Sequence, residues 1–261
     1  MDSAPIIQLD RVSKRYGDGL GVNDVSLSVP ERAFVAVVGA SGSGKTTTLK
    51  FVNRLVEPDA GEVRVEGALV GDADPSELRR RIGYVFQGIG LFPHMTVAEN
   101  IAITPRLLGW PAAEVAARTA ELLDLVALPQ AYGPREPLQL SGGERQRVGV
   151  ARALAARPRI VLMDEPFGAL DPLTRDALGQ AYRDLHDRLG LTTLMVTHDV
   201  QEAILLADRI VVMQAGRILA DDTPRALLAS AEPAVSALMA APRRQAERVQ
   251  ALLSGEGPAR G

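Results

Sequence analysis

The stretch Gly39-Ala40-Ser41-Gly42-Ser43-Gly44-Lys45-Thr46 has the composition of a loop built to hold phosphate. Its glycines let backbone N–H groups turn inward around an anion, and a helix starting at its end points its positive terminus at the same place. Lys45 has the reach for the β- and γ-phosphates of a nucleoside triphosphate, and the Thr46 hydroxyl is a Mg²⁺ ligand. Downstream, Ile160-Val161-Leu162-Met163-Asp164-Glu165 is an apolar run closed by two carboxylates. Asp164 at the end of a buried strand sits near the metal end of such a loop. Glu165 is then placed to take a proton from an attacking water. Gln87 and His198 also follow apolar runs, Ile82 to Phe86 and Leu194-Met195-Val196. Strand ends are where open α/β sheets bind ligands. A glutamine carbonyl there can touch Mg²⁺ or the water, and an imidazole can bond the γ-phosphate or orient the water. His94 and His186 lack that placement and read as structural.

Between the loop and the acidic pair lies Leu140-Ser141-Gly142-Gly143-Glu144-Arg145-Gln146. Ser141 and Glu144 form an ordinary capping box. Gly142 and Gly143 are not explained by capping, since each costs about 0.8–1.0 kcal/mol against alanine inside a helix. Paired glycines in a first turn suit a backbone that something must approach closely, and a helix N-terminus with a serine hydroxyl is an anion site. One chain already has a phosphate loop, so a second anion site implies a second subunit. Tyr16, in the turn-prone Arg15-Tyr16-Gly17-Asp18-Gly19, is an aromatic able to stack on a base. Asp171 reads as the N-cap before Pro172 and also as an interface residue.

The elements that must position these residues follow from hydropathy patterning. Ile6 to Val12 and Val25 to Val29 alternate as half-buried antiparallel strands. Ala33 to Val38 is continuously apolar, as in a strand covered on both faces. A helix is expected from Lys45 to about Val56, and another after the cap Asp74-Pro75-Ser76-Glu77. From His94 to Ala156 the pattern turns helical, with Val115, Leu122 and Leu125 on one face, which reads as a helical insertion (94–156) in an α/β core. A helix from Asp171-Pro172 to Gly190, a strand from Thr192 to Thr197 and a hairpin of Arg209 to Gln214 with Arg217 to Ala220 complete that core. The fold class is therefore α/β: a P-loop core, an N-terminal antiparallel subdomain and an inserted helical subdomain. A single nucleotide-binding domain over 1–240 is expected, then a C-terminal helix and frayed tail over 241–261.

Composition limits the classes further. The chain has 261 residues, 46% hydrophobic and 23% charged, as an ordinary globular protein. A formal net charge of -3 without a basic run argues against a nucleic-acid partner. There are no cysteines, which leaves neither disulfides nor thiolate metal sites. No signal peptide is read in Met1 to Gln8, and no apolar run approaches the ~18–20 residues that span a bilayer.

Residues of these types in this order resemble the ATP-binding subunits of ABC transporters, from roughly Ile7 to Leu228. In that family's terms Tyr16 matches the A-loop, Gly39 to Thr46 the Walker A motif, Gln87 the Q-loop and Leu140 to Gln146 the signature. Ile160 to Glu165 matches the Walker B motif, Asp171 the D-loop and His198 the switch histidine. The resemblance implies ATP and Mg²⁺ as ligands, with Val22 and Thr47 joining the ATP-binding residues and Thr46, Gln87 and Asp164 holding the metal. It implies two ATPs sandwiched head-to-tail in a homodimer, with Ser141, Gly142, Gly143, Gln146 and Asp171 completing the site of the other copy. Asn53-Arg54-Leu55, Gly90 to Ala102 and Pro105 to Pro111 narrow it, being similar to the glycine betaine/osmoprotectant importers. That narrower resemblance implies import of a quaternary amine, two membrane permease subunits, a solute-binding protein outside, and a peripheral place on the cytoplasmic face of the inner membrane. The regulatory domain pair that many such members carry is not expected within this length. Alternatives are import of another small solute, an exporter or lipoprotein-release ATPase, and a DNA-acting ATPase. The last would need a coiled-coil or DNA-contacting insert that the sequence lacks.

Overall fold

The computed structural model describes residues 5–17, 19–88 and 90–240. The expected C-terminal helix and tail over 241–261 lie outside the described residues.

Two long strands open the chain, β1 (Pro5–Tyr16) and β2 (Gly19–Pro30), followed by β3 (Phe34–Val38) and helix α1 (Lys45–Val52). Strands β4 (Ala60–Val65) and β5 (Ala68–Leu69), helix α2 (Pro75–Arg81) and strand β6 (Ile82–Val85) come next. Three helices then run without a strand between them: α3 (Val97–Leu107), α4 (Ala112–Leu125) and α5 (Gly142–Leu154). The chain returns to the sheet through β7 (Ile160–Asp164), α6 (Pro172–Leu189), β8 (Thr192–Val196) and α7 (Val200–Leu206). It closes the described region with β9 (Arg209–Gln214), β10 (Arg217–Asp222), α8 (Pro224–Leu228) and α9 (Pro233–Met239).

Among the described residues, one sheet runs β2-β1-β4-β5 and is antiparallel; the other runs β10-β9-β3-β8-β7-β6 and is parallel except at its β10 edge. The apolar runs explain the second sheet. Phe34–Val38, Thr192–Val196 and Ile160–Asp164 are buried at every position, as strands covered on both faces must be. Alternate residues of β3 serve different cores. Phe34, Ala36 and Val38 pack with α5, α6 and α7, while Val35 and Val37 pack with α1 and the antiparallel sheet.

Some elements depart from the sequence pattern for local reasons. β1 and β2 extend to a tight connection that pairs Tyr16 with Gly19, well past the expected Val12. Register shifts between Leu9 and Val12 and between Val12 and Lys14, with Arg11 at φ 47° and Asp24 at φ 53°, break the alternation that would have revealed them. α1 stops at Val52 rather than near Val56. Asn53 caps it, its side-chain oxygen accepts from Leu55 N at 3.2 Å, and Arg54 turns into the left-handed region at φ 55°. α2 starts at the expected cap, where Asp74 accepts from Ser76 N and Glu77 N. α6 ends at Gly190, at φ 61°, as expected. His186 is buried, with Nδ1 on Thr193 Oγ1 at 2.9 Å and Nε2 on the Arg32 carbonyl at 3.3 Å, a structural role as expected. Burial lowers its pKa, with Arg183 adding to the effect.

Candidate functional site

Four parallel strands of the large sheet deliver the chemistry at their C-terminal ends. β3 runs into the glycine loop, β6 toward Gln87, β7 into Asp164 and Glu165, and β8 toward His198. They meet around a cleft of about 470 Å³ lined by Ser41 to Thr47, Gln87, Glu165 and His198, with Tyr16 at its rim.

The loop is shaped by close backbone approaches. A Cβ on Gly39, at φ 153°, would lie 2.1 Å from the Met213 carbonyl oxygen; one on Gly44, at φ 97°, would lie 2.4 Å from the Gly21 oxygen. Neither position admits a side chain. Lys45 is only 7% exposed, and its ammonium donates to the carbonyls of Gly39 at 2.8 Å and Ala40 at 2.9 Å. Burial lowers its pKa, opposed by the nearby Glu165 and Asp164. The Ser43 hydroxyl is buried without a partner. A cradle closed to a Cβ at Gly39 and Gly44, an unpartnered hydroxyl and an ammonium held by loop carbonyls fit a polyphosphate.

The two adjacent carboxylates are aimed apart. Glu165 sits at φ 47°, a left-handed conformation uncommon outside glycine, which turns the chain out of β7. Asp164 Oδ1 therefore accepts from Thr46 Oγ1 at 2.9 Å, and its Oδ2 faces the Tyr84 hydroxyl at 3.5 Å. Burial and the Asp164 charge hold the Tyr84 phenol well above its ordinary pKa. A hydroxyl beside a carboxylate is a hard-oxygen pair of the kind Mg²⁺ uses. Glu165 Oε2 instead accepts from His198 Nδ1 at 2.7 Å and from the His198 backbone N–H at 3.3 Å. His198 thus orients the candidate base.

Other anticipated residues border the loop or lie on α5. Val22 is fully buried, and its side chain packs beside Gly44 of the loop. Gly39 and Ala40 contribute the carbonyls that hold Lys45 rather than cleft surface. Gln146 is 3% exposed on α5, and its amide nitrogen has no partner among the described residues. Two residues were missed, Gly21 and Tyr84. The ring of Tyr16 lies across Gly21, where a Cβ would come within 2.7 Å of it; a glycine inside a strand is the only sequence signal. Tyr84 touches Asp164, and its signal was a half-buried polar aromatic near the end of an otherwise buried strand.

The glycine-paired segment is not in the cleft; none of Ser141 to Gln146 lines it. Ser141 is exposed and caps α5, accepting from Glu144 N at 3.3 Å while its own N–H donates to Glu144 Oε2 at 2.7 Å. These bonds and the Tyr132 hydroxyl at 3.0 Å lower the Glu144 pKa. Gly143 has an internal reason to be glycine: a Cβ there would lie 2.6 Å from Thr174 Cγ2 on α6. Gly142 has none, since the nearest atom to its Cβ would be Leu170 Cδ2 at 4.0 Å. Asp171 caps α6, accepting from Thr174 N at 3.0 Å.

A sheet ending in a phosphate cradle, with helices inserted between β6 and β7, is the fold of an ABC ATPase cassette. A solved dimeric cassette, MJ0796 in a post-hydrolysis state bound to ADP and Pi, matches with a TM-score of 0.75 at 33% identity, over 83% of this chain and 98% of that one. The ABC transporter family model matches residues 22–168, and the chain belongs to that family. The choline transport ATP-binding protein OpuBA of Bacillus subtilis (strain 168) is 51% identical over 224 residues, 85% of this chain and 59% of that protein. The glycine betaine uptake system ATP-binding protein YehX of Escherichia coli (strain K12) is 50% identical over 223 residues, 85% of this chain and 72% of that protein. The chain thus spans about three fifths of the length of OpuBA. Among the described residues, no helix is long and apolar enough to cross a membrane.

Proposed function

We propose that this chain is the ATP-hydrolysing subunit of a bacterial importer for a quaternary amine osmoprotectant of the glycine betaine or choline type. The observation that carries the hydrolytic part is the separation of two carboxylates at one strand end, Asp164 onto Thr46 and Glu165 onto His198. The cargo is supported by about 50% identity to import proteins named for choline and glycine betaine. Residues 1–240 form the cassette, with 94–156 as its helical insertion.

The geometry supports the following roles. The Lys45 ammonium exchanges the Gly39 and Ala40 carbonyls for phosphate oxygens, and Ser43 gains the partner it lacks. Thr46 and Asp164, with Gln87 at the rim, hold Mg²⁺, which when bound screens the charge of the phosphates. Tyr84 holds the second oxygen of Asp164. His198 occupies Glu165 Oε2 and leaves Oε1 to accept a proton from water. Ser141 and Gly142 lie outside the cleft and face a second copy, so two chains close head-to-tail over two nucleotides. The homodimer drives two permease subunits at the cytoplasmic face of the membrane, and a solute-binding protein delivers cargo.

Reconstitution tests the reading. The complex with its permease in vesicles is expected to hydrolyse ATP faster when betaine is supplied with the binding protein. Glu165→Gln is expected to cut turnover by about 10²–10⁴-fold while nucleotide binding is kept, because only the base is lost. Stimulation by an amino acid alone would remove the cargo, and undiminished turnover in the variant would remove the base.

A further inference from the structure

Arg175 is the residue that joins the two segments on either side of the candidate site. It lies in the first turn of α6, just after Asp171. Its Nη2 donates to the Leu170 carbonyl at 3.2 Å, on the segment leading into Asp171. Its Nη1 donates to Asp199 Oδ2 at 2.8 Å, on the segment that carries His198. Asp199 is itself divided: Oδ1 caps α7 by accepting from Gln201 N at 2.9 Å and Glu202 N at 3.2 Å, and Oδ2 is left for the guanidinium. The Asp199 N–H donates to Thr197 Oγ1 at 3.0 Å, so the backbone on both sides of His198 is held. His198 then reaches Glu165 at 2.7 Å.

These contacts form one chain of polar groups from Leu170-Asp171 through Arg175 and Asp199 to His198 and Glu165. A planar guanidinium with donors spread over a fork suits two acceptors on different segments; a single ammonium does not. Arg175 Nε remains buried without a partner, so the fork is not saturated in this arrangement. The pair also borders a cavity of about 300 Å³ between α6 and α7, which gives it room to shift without disturbing the core.

From this we infer that Arg175 is a positioning residue that relays the arrival of a second copy at Asp171 to the Glu165–His198 pair. The inference rests on the dimeric ATPase reading above. Arg175 is not among the residues that line the cleft; it sets where His198 holds Glu165 as the copies close.

The test is a double-mutant cycle in ATP turnover with Arg175→Met and Asp199→Asn, the asparagine keeping an oxygen for the α7 cap. Each single variant is expected to lower kcat about tenfold with KM for ATP changed less than ~2-fold, within the usual range of coupling between sites. The Hill coefficient for ATP is expected to fall toward ~1, since each site would then fire without its neighbour. The double variant is expected to lose no more than either single one, as for residues in one network. Arg175→Lys, which keeps the charge but not the fork, is expected to recover only part of kcat. Losses that multiply, unchanged cooperativity, or a fall in monomer ATP affinity and melting temperature matching the loss of kcat would each overturn the relay. A wild-type protein that hydrolyses no ATP overturns the functional reading itself, whereas wild-type turnover with normal Arg175→Met kinetics overturns the relay alone.

Discussion

Gly143→Ala separates two reasons for a glycine that the sequence could not tell apart. One is that a nucleotide held by another copy must approach the α5 backbone. The other is packing, because the new Cβ would lie 2.6 Å from Thr174 Cγ2, far inside the ~3.5–4.0 Å of a carbon contact. Replacing glycine in a helix gains at most about 0.8–1.0 kcal/mol, while overpacking costs about 1–3 kcal/mol. The single variant should therefore be destabilised by up to ~2 kcal/mol. Thr174→Ala removes the offending methyl and leaves its Cβ 3.9 Å away, an ordinary contact. In that background Gly143→Ala keeps only the helical gain, about 1 kcal/mol or a rise in Tm of roughly 2–4 °C. Thermal unfolding followed by circular dichroism, with ATPase activity on the same samples, measures both effects. If the nucleotide must also approach, the double variant melts higher than Thr174→Ala alone yet hydrolyses ATP slowly. Full activity in the double variant would assign Gly143 to Thr174 alone. A single Gly143→Ala variant stabilised by the full helical gain of about 1 kcal/mol would refute the steric reasoning outright.

Ser141→Arg places a long cation where the second copy would meet the exposed cap of α5, at about 1 kcal/mol for the lost cap. ATP-driven dimerisation on gel filtration should vanish while monomer affinity for ATP is kept; a normal dimer would count against the half-site. Glu202 offers a pH test, since it is 8% exposed and burial pushes its carboxyl up to about 7, with Asp199 and Glu165 adding and Thr197 and Arg175 opposing. The folded state then keeps a proton that the unfolded chain releases near the ordinary 4.5, so stability is full below that pH and declines until about 7. The loss is on the order of 3 kcal/mol, and Glu202→Gln should abolish that slope in denaturant titrations; parallel curves for the two proteins would disprove it.

The catalytic half of the site was legible because its residues terminate strands that are buried on both faces. The run Ile160 to Asp164 is buried at every position, and its short length and β-branched start fit such a strand. What was illegible depends on contacts distant in sequence. Val22 is buried beside Gly44, and Gln146 is buried on α5. Neither event leaves a trace in local pattern. The extra length of β1 and β2 was hidden by irregular register near Arg11 and Asp24, which destroys the period that reveals a strand. The partner of His198 was hidden for a different reason. Its position at a strand end was readable, but the left-handed turn at Glu165 that brings Oε2 to it was not.

The segments that suggested a cargo carry an instructive lesson about what an ATPase subunit encodes. Asn53 and Arg54 end α1, and the Arg54 guanidinium reaches the Ala73 carbonyl at 2.6 Å. Asn100 is fully buried and ties the loop before α3, accepting from Phe92 N at 2.8 Å and donating to the carbonyls of Phe92, Met95 and Thr96. Arg152 reaches across to the Gly90 carbonyl at 2.6 Å. These residues fix the shape of the surface around Leu55, Phe86 and Phe92, whose side chains stay exposed beside a groove of about 260 Å³. Under the function proposed above, such a groove is where a permease subunit would dock, and the permease would select the solute. Exchanging the segment 90–102 for that of a cassette serving another solute should therefore uncouple transport while leaving the Glu165–His198 chemistry intact.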